Sequence, residues 1–152
     1  MDVANPGLIR PPWVYLISLL VGLGLQRVWS VVLPGGIVAR YTGILVIAAG
    51  LVLFVLTQRA FRAVGTPVPG NQPATALVRD GPMRLSRNPI YLSFSVIQLG
   101  LGLVLHNGWV LITLIPAFAL MQFIVIPREE RYMEAKFGAM YASYKASVRR
   151  WI

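Results

Sequence analysis

Apolar stretches about as long as a bilayer is thick recur along this chain, and they leave few folds open to it. Four of them are readable, at about residues 13–33, 41–58, 89–106 and 109–127. At a rise of about 1.5 Å per residue, 20 residues span roughly 30 Å, one hydrocarbon core. The expected fold is therefore all-α: a polytopic membrane protein with four transmembrane helices, forming a single domain over residues 1–152. Hydrophobic residues make up 57% of the chain and charged residues only 12%, about half the charge of an ordinary soluble domain.

The basic residues give the chain a direction. Arg10 precedes the first run. Arg59, Arg62, Arg79, Arg84 and Arg87 lie between the second and third, and Arg128, Arg131, Lys136, Lys145, Arg149 and Arg150 follow the fourth. Only Arg27 and Arg40 fall on the other side. The positive-inside rule then puts both termini and the 59–88 loop in the cytoplasm. The net charge of +9 is explained by this flanking pattern, so no nucleic-acid partner is expected. Asp2 precedes every basic residue and the first apolar run is too long for a signal h-region, so a cleavable signal is not expected.

The loop is interrupted by Pro67, Pro69, Gly70, Pro73, Gly81 and Pro82. It cannot be one helix, yet Thr75-Ala76-Leu77-Val78 is too apolar for a bare linker, and a structured loop beside a membrane is often functional. After the fourth run, Met133, Phe137, Met140, Tyr141, Tyr144 and Val148 recur at spacings of three and four. That periodicity predicts a C-terminal amphipathic helix over about 129–150, lying on the membrane or on the protein, with Trp151 and Ile152 anchoring its end.

Two polar clusters stand at the loop ends of the last two runs. Asn88-Pro89 is helix-start chemistry, with Asn as cap and Pro in the first helical position. A helix N-terminus flanked by Arg84 and Arg87 also suits a carboxylate or phosphate. The second cluster is Arg128-Glu129-Glu130-Arg131. Three of the five acids, Glu129, Glu130 and Glu134, lie in this one segment. The Asn107-Gly108 turn makes the third and fourth runs antiparallel neighbours, so Glu129 and Glu130 should lie close to Arg87 and Asn88. Each cluster also has a plain structural explanation, a helix cap and an ion-paired helix start.

The stretch GPMRLSRNPIYLS, followed roughly forty residues later by EERYMEAKFGAMYASYKASVRRW, resembles the integral-membrane methyltransferases of the isoprenylcysteine carboxyl methyltransferase and phospholipid methyltransferase group. The signature there is approximately Gly-x-Tyr-x-x-x-Arg-His-Pro-x-Tyr-x-Gly, then a Glu-Glu pair, then Phe-Gly-x-x-Tyr-x-x-Tyr. The likeness covers about residues 66–151. It implies S-adenosylmethionine as cofactor and methyl transfer to a lipid or other apolar acceptor. It also implies a cofactor site built from Ala76, Leu77, Val78, Arg87, Asn88, Pro89, Ile90, Tyr91, Glu129 and Glu130. Arg128 is the nearest residue to the position that engages the substrate carboxylate in the prenylcysteine enzymes, where this chain has Val125.

Met83 stands for the signature Tyr, Asn88 for His and Ser93 for the final Gly. Asn88 keeps a hydrogen bond but cannot act as a base near neutral pH. Methyl transfer from an activated donor needs alignment and dryness more than a protein nucleophile, so a chain without cysteine is no obstacle. One histidine and five acids give no expectation of a metal site.

Gln98 and Gln122, inside the third and fourth runs, read as interhelical glue, and His106 as an interfacial residue. The competing readings are a nicotinamide-dependent membrane reductase of the sterol reductase type and a small non-enzymatic transporter. The transporter suffers from the absence of any Asp or Glu inside the apolar runs. Neither the acceptor, the oligomeric state nor a general base can be read from the residues.

Overall fold

A computed structural model of the chain describes residues 10–68 and 72–152. The expectations resting on Asp2, Pro69 and Gly70 lie outside them. Six α-helices carry the described residues: α1 (Pro11–Val28), α2 (Gly36–Ala63), α3 (Pro89–Val104), α4 (Gly108–Leu120), α5 (Ile126–Phe137) and α6 (Ala139–Ser147). A 3₁₀ turn, Gly81–Arg84, precedes α3. Among the described residues the extended pairing is a single bridge between Val32 and Asn107.

The starts are written in prolines and glycines. Pro11 and Pro12 open α1 and Pro89 opens α3, where a missing N–H costs nothing. Gly35, at φ 120°, turns the chain into α2, a conformation that glycine adopts without a Cβ penalty. α2 consequently begins five residues before the expected Tyr41 and runs through Gln58 to Ala63. Asn107 caps α4 by accepting a hydrogen bond from the Val110 N–H at 3.2 Å.

The helices alternate in direction. Cβ atoms built on Gly43 and Gly100 would each lie 2.7 Å from the other residue's carbonyl oxygen, and one on Gly50 would lie 3.1 Å from the Ser93 carbonyl. The backbones of α2 and α3 therefore approach where neither has a side chain, and they run antiparallel. α1 crosses α4 through the Ser18 hydroxyl, which donates to the Thr113 carbonyl at 2.8 Å. Gln98 ties α3 to both, donating to Ser18 Oγ at 2.7 Å and the Val110 carbonyl at 3.1 Å. The starts of α1 and α3 thus share one end of the bundle with the ends of α2 and α4.

Among the described residues, two helices are long and apolar enough to cross a membrane: Gly36–Ala63 and the continuous helical run Gly108–Phe137. α1 and α3, at 18 and 16 residues, are shorter than the roughly 20 residues of a typical crossing. Much of the outward surface is apolar, with Leu45 71%, Ile115 68% and Phe123 74% exposed. Faces of that kind suit lipid rather than water.

Other boundaries differ from the pattern-based expectation as well: α1 stops at Val28 rather than near residue 33, and two changes lie on the loop side. Helix continues through Pro127 rather than ending there, because the turn before it widens into a π-helix, Met121–Val125. In that winding the Ile126 N–H bonds to the Met121 carbonyl, and the matching acceptor for residue 127 is the Gln122 carbonyl. Pro127 has no N–H to give it, so that carbonyl lacks its helical donor. The expected single helix over 129–150 is two helices, broken at Gly138, where φ is 52° and ψ −127°. The apolar spacing reads continuously across the break because α6 packs back onto the same wall.

Candidate functional site

The loop-side end of the bundle holds a concavity. It is lined by Ala76, Leu77 and Val78 from the loop, Met83 from the 3₁₀ turn, Arg87, Asn88, Pro89, Ile90 and Tyr91 from the start of α3, Glu129, Glu130 and Met133 from α5, and Tyr141 and Tyr144 from α6. Phe61 of α2 and Val68 complete it. It encloses a space of about 650 Å³ that includes open solvent.

The loop wall is fixed by one buried hydroxyl. Thr66 Oγ1 accepts from the Thr75 N–H at 2.9 Å and the Ala76 N–H at 3.3 Å. The Ala74 N–H donates to the Tyr132 hydroxyl at 3.3 Å. On the opposite wall, Tyr144 donates to the Met83 carbonyl at 2.7 Å. Burial pushes the phenols of Tyr141 and Tyr144 above their ordinary value, so both remain hydrogen-bond donors.

The two glutamates, adjacent in sequence, sit in opposite environments. Glu130 is held by cations: Arg87 Nη1 at 2.9 Å, Arg150 Nη2 at 2.7 Å and, more distantly, Lys145 at 3.8 Å. Glu129 is buried and accepts a 2.5 Å hydrogen bond from the Tyr91 hydroxyl. It lies beyond the apolar part of its helix, on the loop side. Burial raises its carboxyl to about 8, the Tyr91 hydrogen bond opposes that rise, and the neighbouring Glu130 charge adds to it. Near neutral pH Glu129 is largely protonated, able to donate as well as accept.

Asn88 occupies the cap position of α3 without capping it. Its side chain makes no cap hydrogen bond; its Nδ2 instead donates to the Arg150 carbonyl at 3.0 Å. This corrects the reading of Asn88 as an N-cap. The polypeptide passing behind it offers a better acceptor than the helix does donors, and the first N–H groups of α3 lack that cap at the cavity. Arg87 has unspent donors too. Its Nη1 faces Glu130 off the line of a hydrogen bond, and its buried Nε has no hydrogen-bond partner in the described residues.

All ten residues proposed for a cofactor from the sequence lie around this one concavity. Arg128 is exposed and is not among the lining residues. Phe61 and Val68 carry no sequence signal for the site; Met133 is announced by the apolar spacing of the C-terminal segment, and Tyr141 and Tyr144 by that spacing and the Phe-Gly-x-x-Tyr-x-x-Tyr motif. Gln122 accepts from the Trp151 indole N–H at 2.7 Å, and Trp151 stacks on Phe118 with ring centres 4.4 Å apart. Trp151 therefore packs on the bundle, whereas Ile152 is exposed.

An uncharacterized protein of Haemophilus influenzae is 40% identical over 63 residues, covering 41% of this chain and all of that protein. No solved structure matches. The sequence pattern of phospholipid methyltransferases matches residues 38–140, well over half of the chain and most of the residues around the concavity. The chain belongs to the phospholipid methyltransferase family, a family of methyltransferases that act at the membrane.

Proposed function

We propose that this protein is a single-domain membrane enzyme that takes a methyl group from S-adenosylmethionine and transfers it to a lipid or other apolar acceptor. One observation carries the reading: Arg87, the uncapped start of α3 and a buried glutamate pair converge on one concavity. The chemistry of these groups suits the cofactor. Arg87 and the first N–H groups of α3 suit its carboxylate. Glu129 suits a hydroxyl or, once ionised, the sulfonium. Ala76, Leu77, Val78 and Ile90 provide an apolar wall, and Pro89 fixes the start of the helix beside it.

When bound, S-adenosylmethionine supplies an already activated methyl group. The chain then has to align two partners and exclude water. Met83, Tyr141 and Tyr144 make a dry wall on the α6 side, with the Tyr144–Met83 hydrogen bond holding it closed. Tyr91 keeps Glu129 oriented. Arg128, exposed outside the concavity, is assigned to the polar head of the acceptor. All four long apolar helices cross the bilayer in this reading, with both termini and the 59–88 loop in the cytoplasm.

The experiment is incubation of purified protein with methyl-labelled S-adenosylmethionine and a total lipid extract, followed by identification of the labelled product. Label in an extractable lipid supports the reading. No transfer to any lipid fraction, together with binding of a nicotinamide dinucleotide, overturns it in favour of a reductase.

A further inference from the structure

α6 ends at Ser147, and Val148 takes up an extended backbone, φ −125° and ψ 133°. The next residues run back beside the turn that precedes α3. The Arg87 N–H donates to the Arg149 carbonyl at 3.0 Å. The Arg150 carbonyl accepts twice, from Ser86 Oγ at 3.2 Å and from Asn88 Nδ2 at 3.0 Å. The Arg150 side chain faces the other wall, with Nε and Nη2 donating to the two oxygens of Glu130 at 3.0 and 2.7 Å. Its Nη1 reaches the Gln122 carbonyl at 3.4 Å, the acceptor that Pro127 leaves free. Trp151 fastens the far side through Gln122 and Phe118.

Three polar groups of the cavity, Arg87, Asn88 and Glu130, are thus held from behind by two consecutive residues that do not line it. We propose that residues 148–152 are a clasp that sets the polar wall of the cavity, with Arg150 as the positioning residue for the ligand bound there. The ligand's identity rests on the methyltransferase reading above; the clasp does not.

The physical reason is competition for Arg87. Glu130 is buried and must be paired. Arg150 gives it two parallel hydrogen bonds, the strongest geometry open to a carboxylate. With Glu130 so satisfied, Arg87 has donors left over for the cavity. Without the Arg150 side chain, Arg87, whose Nη1 already lies 2.9 Å from Glu130, is left as its nearest cation, and the backbone carbonyl that holds Ser86 and Asn88 loses the side chain that docks it.

Two measurements test this. The chain has no cysteine, so spin labels can be introduced at Ile152→Cys and Ile115→Cys, both exposed. Pulsed electron resonance should give one narrow distance that broadens in Arg150→Ala and stays narrow in Arg149→Ala. A broad distribution in the otherwise native protein overturns the clasp.

The second measurement is S-adenosylhomocysteine affinity by calorimetry in detergent. Arg150→Ala should weaken it by about tenfold or more, because removing one member of a coupled network disturbs the others. Arg150→Lys should restore part of the loss. Arg149→Ala, an exposed side chain, should stay within about twofold. Equal affinity in Arg150→Ala and Arg149→Ala overturns the positioning role. A narrow, Arg150-dependent distance in a protein that binds no S-adenosylhomocysteine upholds the clasp and removes the cofactor reading.

Discussion

The two ends of the bundle are closed by different means. The end away from the loop is sewn up largely by backbone. The Gly108 N–H donates to the Val31 carbonyl at 2.8 Å and the Leu33 N–H to the His106 carbonyl at 3.0 Å, while the Trp109 indole donates to the Trp29 carbonyl at 2.6 Å. Side-chain charge plays little part there. The loop-side end is held by a buried carboxylate, two arginines and a phenol–carboxyl pair. A tight turn needs none of these, and buried charge is a poor way to gain stability. The contrast teaches where this chain departs from what folding alone requires, and the departure surrounds the cavity.

The comparison can be broken most severely at Glu130. Its replacement by Ala leaves Arg87 unpaired behind the cavity and releases Arg150. We expect a loss of about 3 kcal/mol, the low side of a broken buried pair, since Arg150 is partly exposed. Unfolding in detergent, followed by circular dichroism, measures it. A loss as small as that of an ordinary surface substitution would mean the cluster is not structural.

Glu129 sharpens the comparison through pH. Its carboxyl is raised from 4.5 to about 8, so between those values the native state holds a proton that the unfolded chain has lost. Its contribution to stability is therefore fully present below about pH 4.5 and is lost as pH rises through about 8, with a slope of at most ~1.4 kcal/mol per pH unit. Glu129→Gln should flatten the decline in melting temperature across that window. An unchanged profile would show that another group controls it.

The smallest effect belongs to the far end. Asn107→Ala removes the α4 cap and should cost about 1 kcal/mol, with S-adenosylhomocysteine affinity unaltered. Weakened affinity would show that the two ends are not separable.

The legible parts of this molecule were those with local causes. Proline punctuation marked the start of α3 at Pro89, the first and fourth runs were placed within two residues of the true starts at Pro11 and Gly108, and the short Asn107-Gly108 turn was enough to bring the glutamate pair near Arg87. The π-turn was not legible, because Pro127 looks like a terminator unless a preceding turn widens to accommodate it. Nor was the break at Gly138 readable, since the apolar spacing continues across it. The role of Asn88 depends on a carbonyl 62 residues away in the chain, and no local pattern announces such a partner. Arg150 read as one more membrane-flanking cation, although its side chain faces a buried carboxylate.

The central claim is that the concavity between the start of α3 and the glutamate pair holds an adenosyl cofactor. Calorimetric titration of the native protein with S-adenosylhomocysteine tests it directly, alongside Glu129→Ala and Asn88→Ala. The account predicts saturable heat for the native protein and affinity lower by about tenfold in each variant, roughly 1.4 kcal/mol. No heat from the native protein, or equal affinity in all three, would contradict it.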